Sequence, residues 1–214
     1  MADTAGGTGT RERLITAAAE LFAAQGIDAV SLREIVRASG ARNATALQYH
    51  FGDRDGLLRA VLARHTPDVE ARRHILLDAY EAQGEPDVRA LAGALVRPLA
   101  AKLADDGGPS YLRLLADLAN RPRPWIDPAA MGDPANSLYR WRTLLTPLLD
   151  PTSLRLHRRF VTYRFTITEL ARRAQTAPHT DDRLFTSHTV DLVAALLLAR
   201  PSAETARLTA ERPA

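Results

Sequence analysis

The sequence contains no cysteine, and this absence excludes disulfide frameworks, zinc sites built from thiolates and cysteine nucleophiles. Chains of this kind are typical of a reducing compartment, so we expect a cytoplasmic protein. The longest apolar run, Leu192 to Ala199, is far shorter than the roughly 20 residues that cross a bilayer. Residues 1–10 have neither a basic nor an apolar region, which predicts a disordered arm and no secretory signal. We expect no membrane partner.

Lysine is almost absent as well, since Lys102 is the only one and arginine supplies the other basic side chains. The net charge of +3 and the isoelectric point near 9.7 permit a nucleic-acid partner. The positive excess is small, however, and acidic residues are spread throughout the chain. Charge alone therefore does not establish that partner. Hydrophobic residues make up 46% of the 214 positions, which is enough for a sizeable core.

Helical periodicity is the dominant pattern that is present, and no segment alternates cleanly between apolar and polar residues. We therefore predict an all-α fold. The predicted helices lie at 11–25, from Ser31 to Gly40, at 43–49, 53–65, 67–82, 86–105, 109–120, 135–149, 152–176 and 181–199. Thr66 and Pro67, a cap followed by a first helical proline, separate a compact unit at 11–65 from a larger one at 66–200. Residues 201–214 are expected to be a frayed tail.

The compact unit contains two short helices that a glycine separates. Ser31 and Glu34 have the spacing of a capping box, and Gly40 ends the helix that they begin. In the next helix Asn43 is the expected N-cap and Leu47 is directed into the core. Two such helices, supported by a longer first one, form a helix-turn-helix, whose second member lies in the DNA major groove. We therefore predict a helix-turn-helix DNA-binding domain at 11–65.

The outward face of the second short helix carries the groups that read bases. A rotation of 100° per residue places Arg42, Thr45 and Tyr49 outward and Gln48 at the edge. Arginine pairs with guanine, glutamine pairs with adenine, and the threonine methyl group contacts thymine. The pattern predicts that this face contacts the bases.

Other polar residues of this unit have two interpretations each. Asn43 is either a helix cap or a base reader, and His50 either packs in the domain or contacts a base. Arg33 and Arg54 lie where flanking phosphates would run, although Arg33 is equally compatible with a solvated helix face. The candidate DNA-binding residues are Arg33, Arg42, Asn43, Thr45, Gln48, Tyr49, His50 and Arg54.

Several short segments resemble the N-terminal domain of the TetR (tetracycline-repressor) family. In order along the chain they are Gly26, Ser31 to Ile35, Gly40, Tyr49 to Phe51, and Leu57 with Leu58. The resemblance covers about residues 11–65. It implies a ligand-responsive transcriptional regulator, a repressor that binds a pseudo-palindromic DNA operator as a homodimer and is released by a small molecule. By the same resemblance Tyr49 contacts the phosphate backbone, while Thr45 and Gln48 contact base edges or backbone.

The unit at 66–200 is predicted to combine ligand sensing with dimerisation. Its final helix is apolar on every side from Leu192 to Ala199, so it needs cover on all faces. Pairing this helix and the one at 152–176 with their symmetry mates would form a four-helix interface, which the resemblance also implies. The alternative is that both helices form the buried centre of a monomer. The candidate interface residues are Phe160, Ile167, Leu192 and Leu196.

Aromatic walls with a few polar groups are typical of small-molecule pockets. Ordinary packing or solvation is the alternative for each residue of this kind. The candidate ligand-binding residues for an unidentified small-molecule effector are Tyr80, Arg113, Asp117, Trp125, Tyr139, Trp141, Tyr163 and Arg164.

Catalysis is the competing class of function, and the sequence offers little for it. The six histidines include no pair with the spacing of a metalloprotease site. Glu70 and His74 lie one turn apart, and a surface ion pair is favoured over a shared metal. We therefore predict no enzyme, no cofactor and no metal. A DNA-binding or architectural protein without a small-molecule ligand remains the alternative function.

Overall fold

The computed structural model describes residues 4–41, 45–122, 132–176 and 179–211. This part of the chain is helical and contains no strand, which confirms the predicted all-α class. The helices are α1 (Thr4–Gln25), α2 (Leu32–Ala38), α3 (Thr45–Phe51), α4 (Arg54–Leu62), α5 (Thr66–Gln83), α6 (Val88–Ala100), α7 (Gly108–Asn120), α8 (Ser137–Leu145), α9 (Pro151–Arg155), α10 (Arg158–Gln175), α11 (Arg183–Leu198) and α12 (Ala203–Ala210). Among the described residues, no helix is both long and apolar enough to span a membrane.

The first helix begins earlier than the sequence predicts. It starts at Thr4, so the disordered arm expected over residues 1–10 is wrong from that residue onward. Three glycines lower the helix propensity of this stretch but do not forbid a helix, and no proline interrupts it. Arg13 Nη2 donates to Thr10 Oγ1 at 3.1 Å, which links neighbouring turns across the predicted boundary.

Helices α1 to α4 enclose apolar side chains that are continuous with the core of the larger unit. The capping box at the start of α2 is confirmed, because Glu34 N donates to Ser31 Oγ at 3.2 Å and Ser31 N donates to Glu34 Oε2 at 2.7 Å. Gly26 ends α1 with a φ of +85°, a conformation that favours glycine. The side chains that fill the core are Leu14, Ile15, Ala18, Phe22, Ile27, Ile35, Leu47, Leu57 and Leu58.

The connection from α4 to α5 differs in detail from the prediction. Helix α4 ends at Leu62, and His65 is the N-cap residue of α5, with Pro67 in the first turn as expected. Thr66 is not the cap, because its Oγ1 donates to Leu62 O at 2.9 Å. The hydroxyl therefore closes the preceding helix and ties it to the start of the next.

Helix α6 forms the centre of the larger unit. Helices α5, α8, α10 and α11 pack around it, and α7 packs against α10 and α1. Most side chains of α6 are buried, so this helix needs cover from several neighbouring helices at once. Helix α7 thus lies between the two units and touches both.

Two predictions for the C-terminal part are wrong. The single helix expected over 152–176 is divided into α9 and α10, because His157 has a φ of 53°, a left-handed conformation that interrupts a helix. The tail expected from residue 201 instead contains α12. Ser202 Oγ accepts a hydrogen bond from Thr205 N at 3.2 Å and so caps this helix.

Candidate nucleic-acid interface and domain junction

Helix α3 has one buried face and one polar face. Leu47 anchors the helix, with only 3% of its surface exposed, whereas Tyr49 is 83% exposed. Thr45 and Gln48 are also exposed. An exposed aromatic ring of this size is not needed for the stability of the domain, so it is available for contact with a partner. The structure therefore brings three of the predicted residues to one accessible face.

A cavity of about 250 Å³ lies between α2 and α3. Arg33 and Gln48 line it on opposite helices, above an apolar floor that includes Val36 and Leu47. Arg37, one turn beyond Arg33, is exposed on the same helix. The sequence analysis did not select Arg37, although its spacing of four residues from Arg33 is a signal for a shared helix face.

The turn from α3 to α4 fixes the orientation of the polar face. Gly52 has a φ of +74°, and Asp53 Oδ1 accepts a hydrogen bond from Gly56 N at 2.7 Å, capping α4. A Cβ atom on Gly56 would lie only 1.9 Å from Phe51 O. Glycine is required there because the start of α4 closes directly on the last carbonyl of α3.

Arg54 has a different set of partners from the predicted one. Its Nη1 donates to Ile27 O at 2.5 Å and its Nη2 donates to Val30 O at 2.6 Å. These bonds hold the turn between α1 and α2 against the start of α4. In the described conformation Arg54 is therefore a positioning residue for the helix-turn-helix, and its guanidinium is not directed at a flanking phosphate.

His50 lies between its two aromatic neighbours. Its ring centroid is 5.2 Å from that of Tyr49 and 6.0 Å from that of Phe51, and the residue is half-buried. The Arg11 guanidinium lies 5.6 Å from the Phe51 ring centroid, so a cationic group lies near this end of α3. Arg42 and Asn43, both predicted to contact DNA, lie outside the described residues.

Comparison with known proteins agrees with this geometry. The family model for bacterial regulatory proteins of the tetR family matches residues 14–61, which contain α2, the α2–α3 turn and α3. Residues 14–61 are therefore a DNA-binding domain of the tetR-family type. The protein is a DNA-binding transcriptional regulator with a helix-turn-helix, and this similarity points to a non-enzymatic role.

One solved structure shows that the similarity of fold extends over the larger unit. AmtR from Mycobacterium smegmatis is 21% identical, with a TM-score of 0.52 over 94% of this chain and 93% of that one. This likeness shows a shared fold. A TetR-family regulator from Streptomyces coelicolor A3 is 21% identical over 89% of this chain and 95% of that one, with a TM-score of 0.41. A gamma-butyrolactone receptor is 21% identical over 97% and 95%, with a TM-score of 0.46.

Direct contacts join the DNA-binding domain to α7. Ile27 N donates to Asp117 Oδ2 at 3.0 Å, and Arg121 Nη2 lies 2.7 Å from Asp28 Oδ1. Both contacts hold the turn that follows α1, which Arg54 also binds. A movement of α7 relative to α1 therefore acts on the helix-turn-helix through specific bonds.

The predicted ligand-binding residues do not form one cluster. Arg113 and Asp117 share a cleft beside α1, whereas Tyr80, Tyr139 and Tyr163 are partly buried elsewhere. Arg164 is exposed, and its guanidinium lies 5.8 Å from the Phe160 ring centroid. Trp125 lies outside the described residues.

Trp141, predicted to bind a ligand, is instead a packing residue of the core, which was the alternative interpretation. It is 1% exposed, and its Nε1 donates to Leu91 O at 2.8 Å. The indole is thus satisfied within the core, and the described conformation leaves it no face for a ligand.

Ile167 was predicted to lie in the dimer interface, but the structure buries it within its own chain. Its side chain is 0% exposed within a single chain, in which α10 packs against α6, α7 and α11. A partner is not needed to bury it. Phe160 and Leu196 are half-buried, and Leu192 is exposed. The exposed Leu184 and Leu198 on α11 were missed, although they continue the helical stripe of Leu192.

Buried charges occupy the centre of the larger unit. Arg73 is 3% exposed, and its guanidinium donates to Ser137 Oγ at 2.8 Å and to Ala94 O at 3.2 Å, with Glu70 Oε1 3.4 Å away. Burial lowers the pKa of Arg73 and raises the pKa of the nearby Tyr163 to about 12. The phenol therefore stays neutral next to the guanidinium.

The junction between α4 and α5 contains a histidine in an unusual setting. The His65 ring centroid lies 5.0 Å from that of Tyr111. Two causes lower the pKa of His65: burial has the larger effect, and the positive charge of Lys102 has the next largest. Lys102 itself is buried and donates to Asp68 at 2.5 Å and Asp105 at 2.7 Å.

Glu70 and His74 do not form the predicted ion pair. Glu70 pairs with Arg73 and accepts a hydrogen bond from Ser137 N at 2.6 Å, whereas His74 Nε2 lies 3.1 Å from Ala135 O. In the part of the chain that the structure describes, no group of three potential metal ligands comes together.

Proposed function

We propose that this tetR-family regulator is a ligand-responsive repressor that binds a pseudo-palindromic operator as a homodimer and leaves the DNA when a small molecule binds. The observation that carries the proposal is the exposed polar face of α3, held rigidly by the Gly52 turn and by the buried Leu47. A helix presented in this way fits the major groove.

The residues of this face have different proposed roles. Gln48 and Thr45 face the base edges, where a side-chain amide discriminates adenine. Tyr49 contacts the phosphate backbone, and Arg33 and Arg37 on α2 neutralise phosphates that flank the groove. Arg54 contributes indirectly, because it holds the turn before α2.

The proposed dimer interface is the outer face of α10 and α11. Val161, Leu184, Leu192 and Leu198 are exposed large apolar side chains on these two helices, and apolar groups of this kind are typical of protein interfaces. Pairing these helices with their symmetry mates would cover these side chains and place two α3 helices on one side of the dimer.

The proposed effector acts on the larger unit and reaches DNA through α7. The bond from Ile27 N to Asp117 Oδ2 and the Asp28–Arg121 pair support this route, because they connect α7 to the turn before α2. A ligand that prefers one position of α7 would shift the population of DNA-binding conformers by its difference in affinity.

Duplexes selected from a random pool by the wild-type protein give the test. Gln48→Ala should weaken binding to the selected duplex by about 1–3 kcal/mol, or roughly 5- to 150-fold, and relax the base preference at one position of each half-site. Gln83→Ala, a matched change on an exposed residue at the end of α5, should leave binding unchanged. Equal dissociation constants for both variants would contradict the assignment of the α3 face.

A further inference from the structure

We propose that the cleft between α1, α7 and α10 is a binding site for a small organic acid, whose carboxylate pairs with Arg113. The cleft has a volume of about 330 Å³, which lies within the usual range for small-molecule sites, about 300–1,000 Å³. It lies at the junction of the two domains. The residues that line it are Phe22, Ala23, Gly26, Arg113, Ala116, Asp117, Asn120, Ala171 and Gln175.

Arg113 is the group that lacks a partner. Its Nε is buried and has no hydrogen-bond acceptor, and the guanidinium makes no ion pair with any residue that the structure describes. A buried donor of this kind is costly unless something accepts its proton, and a carboxylate accepts two such bonds from one guanidinium. The site therefore has an unfilled place for an anion.

Two other polar groups of the cleft already have partners, whereas Gln175 is exposed at its edge. Asn120 Nδ2 donates to Ala116 O at 2.8 Å and to Thr168 Oγ1 at 3.0 Å, and Asp117 Oδ2 accepts the Ile27 N–H. Small side chains, Ala23, Ala116 and Ala171, form the remaining wall. This combination of one free cation and an apolar wall fits an acid with a compact hydrocarbon body.

Occupation of the cleft would act directly on DNA binding. The cleft contains Asp117, which binds the turn after α1, and Gly26, the residue that ends α1. An acid placed between α1 and α7 adds negative charge beside Asp117 and separates the helices that its hydrogen bond joins. This regulatory step rests on the proposed function, whereas the binding of the acid does not.

Calorimetric titration of the full-length protein tests the site with benzoate, naphthoate and hexanoate as probes. Benzamide, naphthamide and hexanamide are the neutral counterparts. We expect at least one acid to bind about tenfold or more tightly than its amide, because only the carboxylate forms charge-assisted bonds. Arg113→Gln should remove this preference, Arg113→Lys should retain part of it, and Arg97→Gln, on an exposed α6 residue, should leave it intact.

Three results would overturn the site. They are the failure of all three acids to bind, equal binding of an acid and its amide, and an acid affinity that Arg113→Gln leaves unchanged. The Arg113→Lys variant, which retains the positive charge, guards against misinterpretation if Arg113→Gln fails to fold.

A second titration, of the same acid with and without the selected duplex, tests the regulatory step. The acid should bind about 5- to 150-fold more weakly when DNA is bound, since coupling is reciprocal. Equal affinities would overturn the regulatory role while the acid site stands. If the protein selects no duplex, the proposed DNA-binding function fails, and the acid titrations still decide the site.

Discussion

The two domains of this regulator use polar side chains in opposite ways. In the DNA-binding domain the interior is mostly apolar, and polar groups such as Ser31 cap helices while Gln48 and Tyr49 face outward. In the larger domain charged groups lie inside, with Arg73 and Lys102 both almost fully buried. The difference shows where each domain carries its specificity: the first presents a surface, while the second depends on an internal network.

Disruption of the internal network should give the largest effect on stability. Arg73→Ala removes the donor to Ser137 and Ala94 and leaves Glu70 beside an empty space, so we expect a loss of about 3–5 kcal/mol in the free energy of unfolding. Urea unfolding at a fixed protein concentration measures it.

Arg72→Ala is the matched control on the same helix. Its side chain is exposed and pairs with Asp68 on the surface, so its removal should cost about 0.2–1 kcal/mol. If the two variants lose similar amounts of unfolding free energy, the buried Arg73 contributes no more to stability than an exposed arginine, and the proposed internal network is contradicted.

Two glycine substitutions, one in each domain, should have smaller effects on stability but should differ in their effect on DNA affinity. Gly56→Ala places a Cβ atom 1.9 Å from Phe51 O, and Gly108→Ala places one 2.0 Å from Lys102 O. Each clash should cost about 1–3 kcal/mol of stability. We expect Gly56→Ala to reduce the affinity of the folded protein for DNA more than Gly108→Ala does, since only Gly56→Ala displaces α3 directly.

Fluorescence anisotropy with the selected duplex, below the unfolding temperature of both variants, measures this difference. A loss of DNA affinity for Gly108→Ala as large as that for Gly56→Ala would mean that the two domains respond as one unit, and the comparison between them would fail.

The sequence predicted those features that depend on neighbouring residues. The capping box and the inward position of Leu47 both follow from spacings of a few residues. The polar outer face of α3 follows from the same periodicity. For this reason the DNA-binding domain was the part of the chain that could be recognised.

Features that depend on distant partners were not predictable. The Arg54 guanidinium binds carbonyls more than twenty positions away, and Asp117 binds Ile27 N across 90 positions. The burial of Ile167 within its own chain depends on how α10 packs against α6, α7 and α11. Helical periodicity identifies an apolar stripe but not the surface that covers it.

Hydroxyl-radical footprinting of the wild-type protein on its selected duplex tests the central claim most directly, namely that two copies of α3 read one operator. The account predicts two protected patches of equal size, related by a two-fold axis, with centres about 34–36 Å apart or a multiple of that spacing. A single protected patch, or protection that does not respect the symmetry of the selected sequence, would contradict it.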